Sequence, residues 1–277
     1  IKELLTVATD KQASDLHLVV GLPPCIRIDG DLHFLEDYKP LAKKDMETMV
    51  ASIVSETDMD RFRTTRELDI GLEIGTFRYR INLHFERTNM GMVARVISDR
   101  IPNLDEIGMP KVLYNLLELK QGLILLTGPT GCGKSTSLAA MVDYINNNRF
   151  CNMITLEDPI EYVFKSKQSI IIQRQLGQDM LSFAEGLKHA LRQDPNVIMV
   201  GEMRDLETIA TTITLAETGH LVLATLHTYN AAQTIDRIID IFPPHQQNQV
   251  RQQLSMTLAG VISQRLLPRI GGGRTAV

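Results

Sequence analysis

Gly128-Pro129-Thr130-Gly131-Cys132-Gly133-Lys134-Ser135 constrains this chain more than any other stretch, because it fits G-x-x-x-x-G-K-[ST]. An apolar run, Gly122–Thr127, leads into it. Behind it, residues 134–147 place Leu138, Met141, Val142 and Ile145 on one helical face. A strand enters, then, and an amphipathic helix leaves. Glycines let backbone N–H groups converge on phosphate oxygens, and the positive end of the helix adds to the attraction. Lys134 is placed to reach the β- and γ-phosphates, and Ser135 to offer its hydroxyl to Mg²⁺. Thr136 closes the run, and Cys132 reads as a small residue within the loop. The competing reading, a glycine-rich turn with a surface lysine, leaves the flanking strand and helix unexplained.

Short apolar strands recur after the loop, at residues 153–156, 170–172, 197–200 and 221–226. Helices at 182–192 and 205–217 separate some of them, the second with Leu206, Ile209, Ile213 and Ala216 as its buried stripe. Such alternation indicates an α/β fold with a parallel sheet covered on both faces. Acids stand at two of the strand ends. Gly201-Glu202 follows 197–200, where Glu202 suits orienting an attacking water or assisting Mg²⁺. A helix-capping or solvated glutamate is the alternative there. Glu157, Asp158 and Glu161 follow 153–156, facing the crevice where open α/β sheets bind ligands, unless they form a solvated turn. Ser135, Glu157 and Glu202 are the candidate Mg²⁺ residues. His220 and His227 bracket the strand 221–226. Either is a hydrogen-bond partner for a γ-phosphate or a structural imidazole, and neither has zinc-site spacing.

The first part of the chain reads differently. Phe77, Tyr79, Ile81, Leu83 and Phe85 alternate with Arg78, Arg80, Asn82, His84 and Glu86, a strand with one apolar and one polar face. Strands at 15–20, 26–28, 32–35 and 92–97, a helix at 3–9 and helical spacing over 40–63 complete a mixed domain. Asp29-Gly30 is a hairpin-turn signal. The expected division is 1–100, a linker at 101–112 and 113–277, with a turn or hinge at 271–273. With 29 basic against 33 acidic residues and a net charge of −4, no half is a polycation, which disfavours nucleic-acid binding driven by phosphate charge. Cys25, Cys132 and Cys151 are too scattered for a disulfide framework and suit a reducing cytosol. No apolar run approaches the length of a membrane span. The chain opens at Ile1 and reads as a fragment.

Residues 127–136 (TGPTGCGKST), 155–161 (TLEDPIE), 190–207 (ALRQDPNVIMVGEMRDLE) and 216–228 (AETGHLVLATLHT) resemble, in order, the four boxes of the secretion-ATPase superfamily. Residues 14–18 (SDLHL), 21–24, 234–242 (TIDRIIDIF) and 271–274 agree, and the likeness is strongest to its pilus-retraction branch. The resemblance implies a cytoplasmic homohexameric ATPase at the base of a bacterial pilus. It would use ATP and Mg²⁺ and contact an inner-membrane platform protein and a paralogous retraction ATPase. It implies a PAS-like α+β N-terminal domain joined to a RecA-like P-loop core, with neighbouring subunits completing the nucleotide site. Glu202 becomes the catalytic glutamate, Glu157 and Glu161 the acids of the second box, and His220 and His227 the imidazoles of the fourth. Arg78, Arg80 and Arg95 match arginines that the family brings from its N-terminal domain to the phosphates.

Assembly and type II secretion relatives usually carry a tetracysteine zinc insert, which three scattered cysteines do not supply. Members also continue into a helical C-terminal region beyond the point where this chain stops, at Val277. Rival readings are an assembly or secretion ATPase of the same superfamily, a weakly hydrolysing regulatory ring, and a small-molecule kinase. The last has no evident place for the second and fourth boxes.

Overall fold

Period-two alternation near the N-terminus builds an antiparallel sheet. The computed structural model describes residues 1–28, 30–75, 77–97, 100–268 and 274–277. The expected turn at 271–273 and Asp29 of the expected hairpin turn lie outside them, as do Ser98 and Asp99. The chain forms two compact units, Ile1–Asp99 and Arg100–Val277. The first unit runs α1 (Lys2–Asp10), β1 (Asp15–Leu18), β2 (Cys25–Ile28), β3 (Asp31–Phe34), α2 (Lys43–Ala51), α3 (Glu56–Thr65), β4 (Glu67–Ile74), β5 (Phe77–Glu86) and β6 (Asn89–Ile97). Its sheet has the order β3-β2-β1-β6-β5-β4.

One face of that sheet is apolar. Leu16, Leu18, Ile26, Tyr79, Ile81, Leu83, Met92 and Ala94 are buried there against Leu5 of α1, Met46 and Val50 of α2 and Phe62 of α3. The helical spacing over 40–63 resolves into two helices rather than one. Ser55 stops the run by accepting from the backbone N–H of Asp58, which caps α3. The opposite face carries the arginines. Arg80 pairs in register with Arg95, and Arg95 with Asp15.

In the second unit the elements run α4 (Val112–Leu117), β7 (Gly122–Thr127), α5 (Lys134–Asn148), β8 (Asn152–Glu157), β9 (Ile170–Gln175), α6 (Phe183–Ala190), β10 (Val197–Val200), α7 (Leu206–Glu217), β11 (Leu221–Leu226), α8 (Ala231–Asp240), α9 (Pro244–Thr257), β12 (Leu258–Ser263), β13 (Leu266–Pro268) and β14 (Arg274–Ala276). Six strands in the order β12-β7-β11-β10-β8-β9 form a wholly parallel sheet. β7, β10 and β11 are buried along their whole length, as strands covered on both faces must be. The α/β class read from the sequence is the class observed.

Residues 101–112, read as a linker, carry Leu104 and Met109 into the core beside Leu113, Leu117 and Leu138. Two details differ from the sequence reading. Leu206 is not in the buried stripe of α7; as the first helical residue after the Asp205 cap it turns outward, while Ile209, Ile213 and Ala216 are buried. β9 is an edge strand, so Ile170 stands largely exposed.

Candidate functional site

A wholly parallel sheet puts all its strand C-termini at one edge, and the order β7-β11-β10-β8 makes four of those ends neighbours. The loop 128–133 follows β7, His227 follows β11, Glu202 follows β10 and Glu157 ends β8. The phosphate-loop motif thus meets the acidic strand ends without any long-range coincidence.

The loop has a left-handed entry at Gly128 (φ +149°), where a Cβ would collide with the carbonyl oxygen of Gln264. Only glycine fits. Lys134 opens α5, is buried, and turns back over the loop. Its Nζ donates to the carbonyls of Gly128 (2.7 Å) and Pro129 (3.0 Å) and lies 3.3 Å from Nδ1 of His227. Burial pushes this ammonium below its ordinary range, against the opposing pull of Cys132, Glu202 and Glu161. Ser135 is exposed on the first turn of the helix, Thr130 Oγ1 is 3.4 Å from His227 Nδ1, and Thr136 meets the Tyr162 hydroxyl at 3.1 Å.

Glu202 is held from two sides. Its Oε1 is 3.1 Å from His227 Nε2, and its Oε2 receives Arg204 Nη2 at 2.7 Å. Partial burial disfavours the charged carboxylate, but Arg204 and His227 outweigh it and hold the carboxyl below its ordinary range. Arg204 also reaches toward Asp158, at 3.8 Å. The Gly-Glu ending of β10 has a steric cause. The Gly201 N–H donates to Leu156 O at 2.7 Å, and a Cβ on Gly201 would stand 3.0 Å from that oxygen and 3.3 Å from Glu157 Cα.

Glu157 is buried. Its Oε1 accepts from Thr155 (2.7 Å) and Gln173 (3.0 Å), and burial raises its carboxyl despite those bonds. Among the described residues, no group of three or more His, Cys, Asp or Glu is placed to hold a metal. Ser135, exposed on the first turn of α5, is an oxygen donor that suits a hard cation such as Mg²⁺.

His220 does not join the cluster. It precedes β11, where its carbonyl receives the Gly122 N–H at the start of β7, a full strand length from the loop. Its Nδ1 lies 3.0 Å from Leu215 O and 3.3 Å from Thr218 Oγ1, a bond that closes the end of α7. Parallel strands forbid both ends of β11 from facing one ligand. Arg78, Arg80 and Arg95 lie in the first unit, on one sheet face; Arg78 is held by Glu73 at 2.7 Å and Arg95 by Asp15 at 2.8 Å. Sequence reasoning missed Arg204, Gln173 and Gln264. Arg204, two residues past Glu202 in the same box, carried a readable signal.

Residues 1–272 match the family of Type II/IV secretion system proteins. The chain belongs to that family. Among secretion system relatives, the type IV pilus retraction ATPase PilT of Pseudomonas aeruginosa is 46% identical over 277 residues, all of this chain and 80% of that protein. A twitching motility protein of Neisseria gonorrhoeae is 44% identical, across all of this chain and 74% of its own length. The crystal structure of the pilus retraction motor PilT with bound ADP superposes with a TM-score of 0.96 at 49% identity, over all of this chain and 81% of that one. The resemblance to secretion ATPases and the expected fold, a parallel-sheet core with a smaller N-terminal sheet unit, both stand.

Proposed function

We propose that this chain is the ATP-hydrolysing subunit of a hexameric motor that retracts type IV pili. The observation that carries the catalytic reading is the continuous line Lys134–His227–Glu202–Arg204 along the strand ends beside the phosphate loop. The identity to PilT, spanning the whole chain, supports retraction as its use.

In this reading the backbone of 128–133 cradles the phosphates and Lys134 neutralises the β/γ oxygens. Mg²⁺, held by Ser135 and the nucleotide, supplies further charge neutralisation when bound. Glu202 orients the water that attacks the γ-phosphate in line. His227 touches both the lysine and the glutamate, so it is placed to hydrogen-bond the γ-phosphate and to change partners after hydrolysis. Glu161 contributes negative charge near Lys134, and Glu157 braces the end of β8. Arg78, Arg80 and Arg95 supply cationic charge to the transferring phosphoryl group in the assembled ring. Force passes to a platform protein at the cytoplasmic face of the inner membrane, with a paralogous ATPase as a second partner. Among the described residues no helix is long and apolar enough to cross a membrane.

Deleting the gene tests the direction of work. Retraction requires excess surface pili and loss of twitching; bald cells would assign the motor to assembly.

A further inference from the structure

Gln264 belongs to neither the phosphate loop nor the acidic strand ends, yet it touches the loop at both its ends. It follows β12, which pairs in parallel with β7 on the side away from β11. Its backbone N–H donates to Thr127 O at 2.7 Å, extending the β12–β7 ladder to the residue from which the loop departs. Beside it, Ser263 Oγ lies 3.1 Å from Thr127 Oγ1. The next residue, Arg265, exchanges both backbone hydrogen bonds with Val277, so the segment is fixed on its other flank as well.

The residue is 4% exposed, and both ends of its amide are engaged. Nε2 donates to Cys132 O at 2.7 Å, and Oε1 accepts from Ser137 Oγ at 2.7 Å. Ser137 is on the first turn of α5 and is itself buried. Gly128 packs against the backbone carbonyl of Gln264, and a Cβ on Gly133 would stand 3.0 Å from Nε2. One residue therefore meets the loop where it begins, where it ends and where the helix takes over. Glutamine offers both a donor and an acceptor on this stem; glutamate offers only acceptors and methionine neither strong group.

The bond to Cys132 has a consequence across the peptide plane. In a trans peptide the C=O and the following N–H point in opposite directions. Anchoring Cys132 O against Gln264 aims the Gly133 N–H away from β12. We propose that Gln264 is the positioning residue of the phosphate loop, fixing the Cys132–Gly133 peptide so that its N–H is already presented to a nucleoside polyphosphate. The proposal rests on the nucleotide-binding reading of the loop. It gives β12, an edge strand with no side chain in the chemistry, a part in binding by preorganisation.

Gln264→Glu tests it, because the change is nearly isosteric, keeps an acceptor for Ser137 and sets an oxygen against Cys132 O. The assay is titration with a fluorescent ADP analogue, alongside a thermal melt and ATP steady-state kinetics. The expected result is a Kd about tenfold weaker, with KM for ATP rising more than kcat falls. A lower Tm with Kd within about twofold of wild type would make Gln264 a fold-stabilising residue only and overturn the proposal. Where Gln264→Glu does not fold, Ser137→Ala carries the test: it removes the partner that orients the amide. A Kd about threefold weaker supports the proposal, and an unchanged Kd overturns it. Wild-type protein that failed to bind the analogue would instead overturn the nucleotide-binding reading itself.

Discussion

Nε2 of His227 lies 3.1 Å from Oε1 of Glu202, while Nδ1 of the same ring lies 3.3 Å from Nζ of Lys134. A neutral imidazole satisfies both contacts, donating from Nε2 and accepting at Nδ1. The ring therefore ties the phosphate-binding lysine to the carboxylate proposed to orient water. Replacing His227 by Ala should reduce turnover by roughly a hundredfold while nucleotide affinity changes far less. Phosphate release and ADP binding measured on one preparation check this.

Gly201 is tightly packed. Leu156 O and Glu157 Cα crowd the place where a Cβ would stand. Gly201→Ala is expected to cost about 1–3 kcal/mol of stability and to displace Glu202, so turnover falls with it. Urea denaturation and phosphate release together read out both effects.

Buried Glu157 has its carboxyl raised above the ordinary range. The unfolded chain ionises this group freely, whereas the folded protein retains the proton or buries a charge. Its burden on stability therefore grows as pH climbs above the ordinary glutamate range and levels off beyond the raised folded value. Glu157→Gln should raise Tm at pH 7.5, with the advantage shrinking as pH falls and vanishing below the ordinary range. Melts across pH for both proteins test the sign.

Arg204 acts on Glu202 in the other direction. Burial of Glu202 works against its charge, and the Arg204 guanidinium at 2.7 Å helps to reverse that. If ionised Glu202 is the active form, activity is lost as pH falls through its lowered value. Arg204→Met removes a lowering influence, so the acid limb of the kcat/KM profile should move to higher pH. A pH–rate profile of the variant decides it.

How much of this was legible before folding differs by element. The phosphate loop, its strand and its helix were readable because strand, glycines and amphipathic spacing are contiguous in the chain. Glu202 and His227 were readable as strand-end residues, but their mutual contact depends on β10 and β11 being neighbours, which only the sheet order gives. His220 shows the limit of symmetric reasoning about strand ends: a parallel sheet sends the two ends of β11 to opposite edges. β4 went unread although Leu68, Ile70 and Leu72 alternate with polar positions, because Glu67, Asp69, Gly71 and Glu73 are residues of low strand propensity. Gln264 had no local signal at all. Its partners Cys132 and Ser137 are more than a hundred residues away, joined to it only through the β12–β7 pairing.

The central claim is that this chain hydrolyses ATP with Glu202 as the residue that orients water. Steady-state phosphate release by wild type and Glu202→Gln, with ATP-analogue binding measured in parallel, tests it most directly. The account requires wild-type turnover, retained binding in the variant, and a loss of turnover on the order of a hundredfold or more. Wild-type turnover by Glu202→Gln would contradict it.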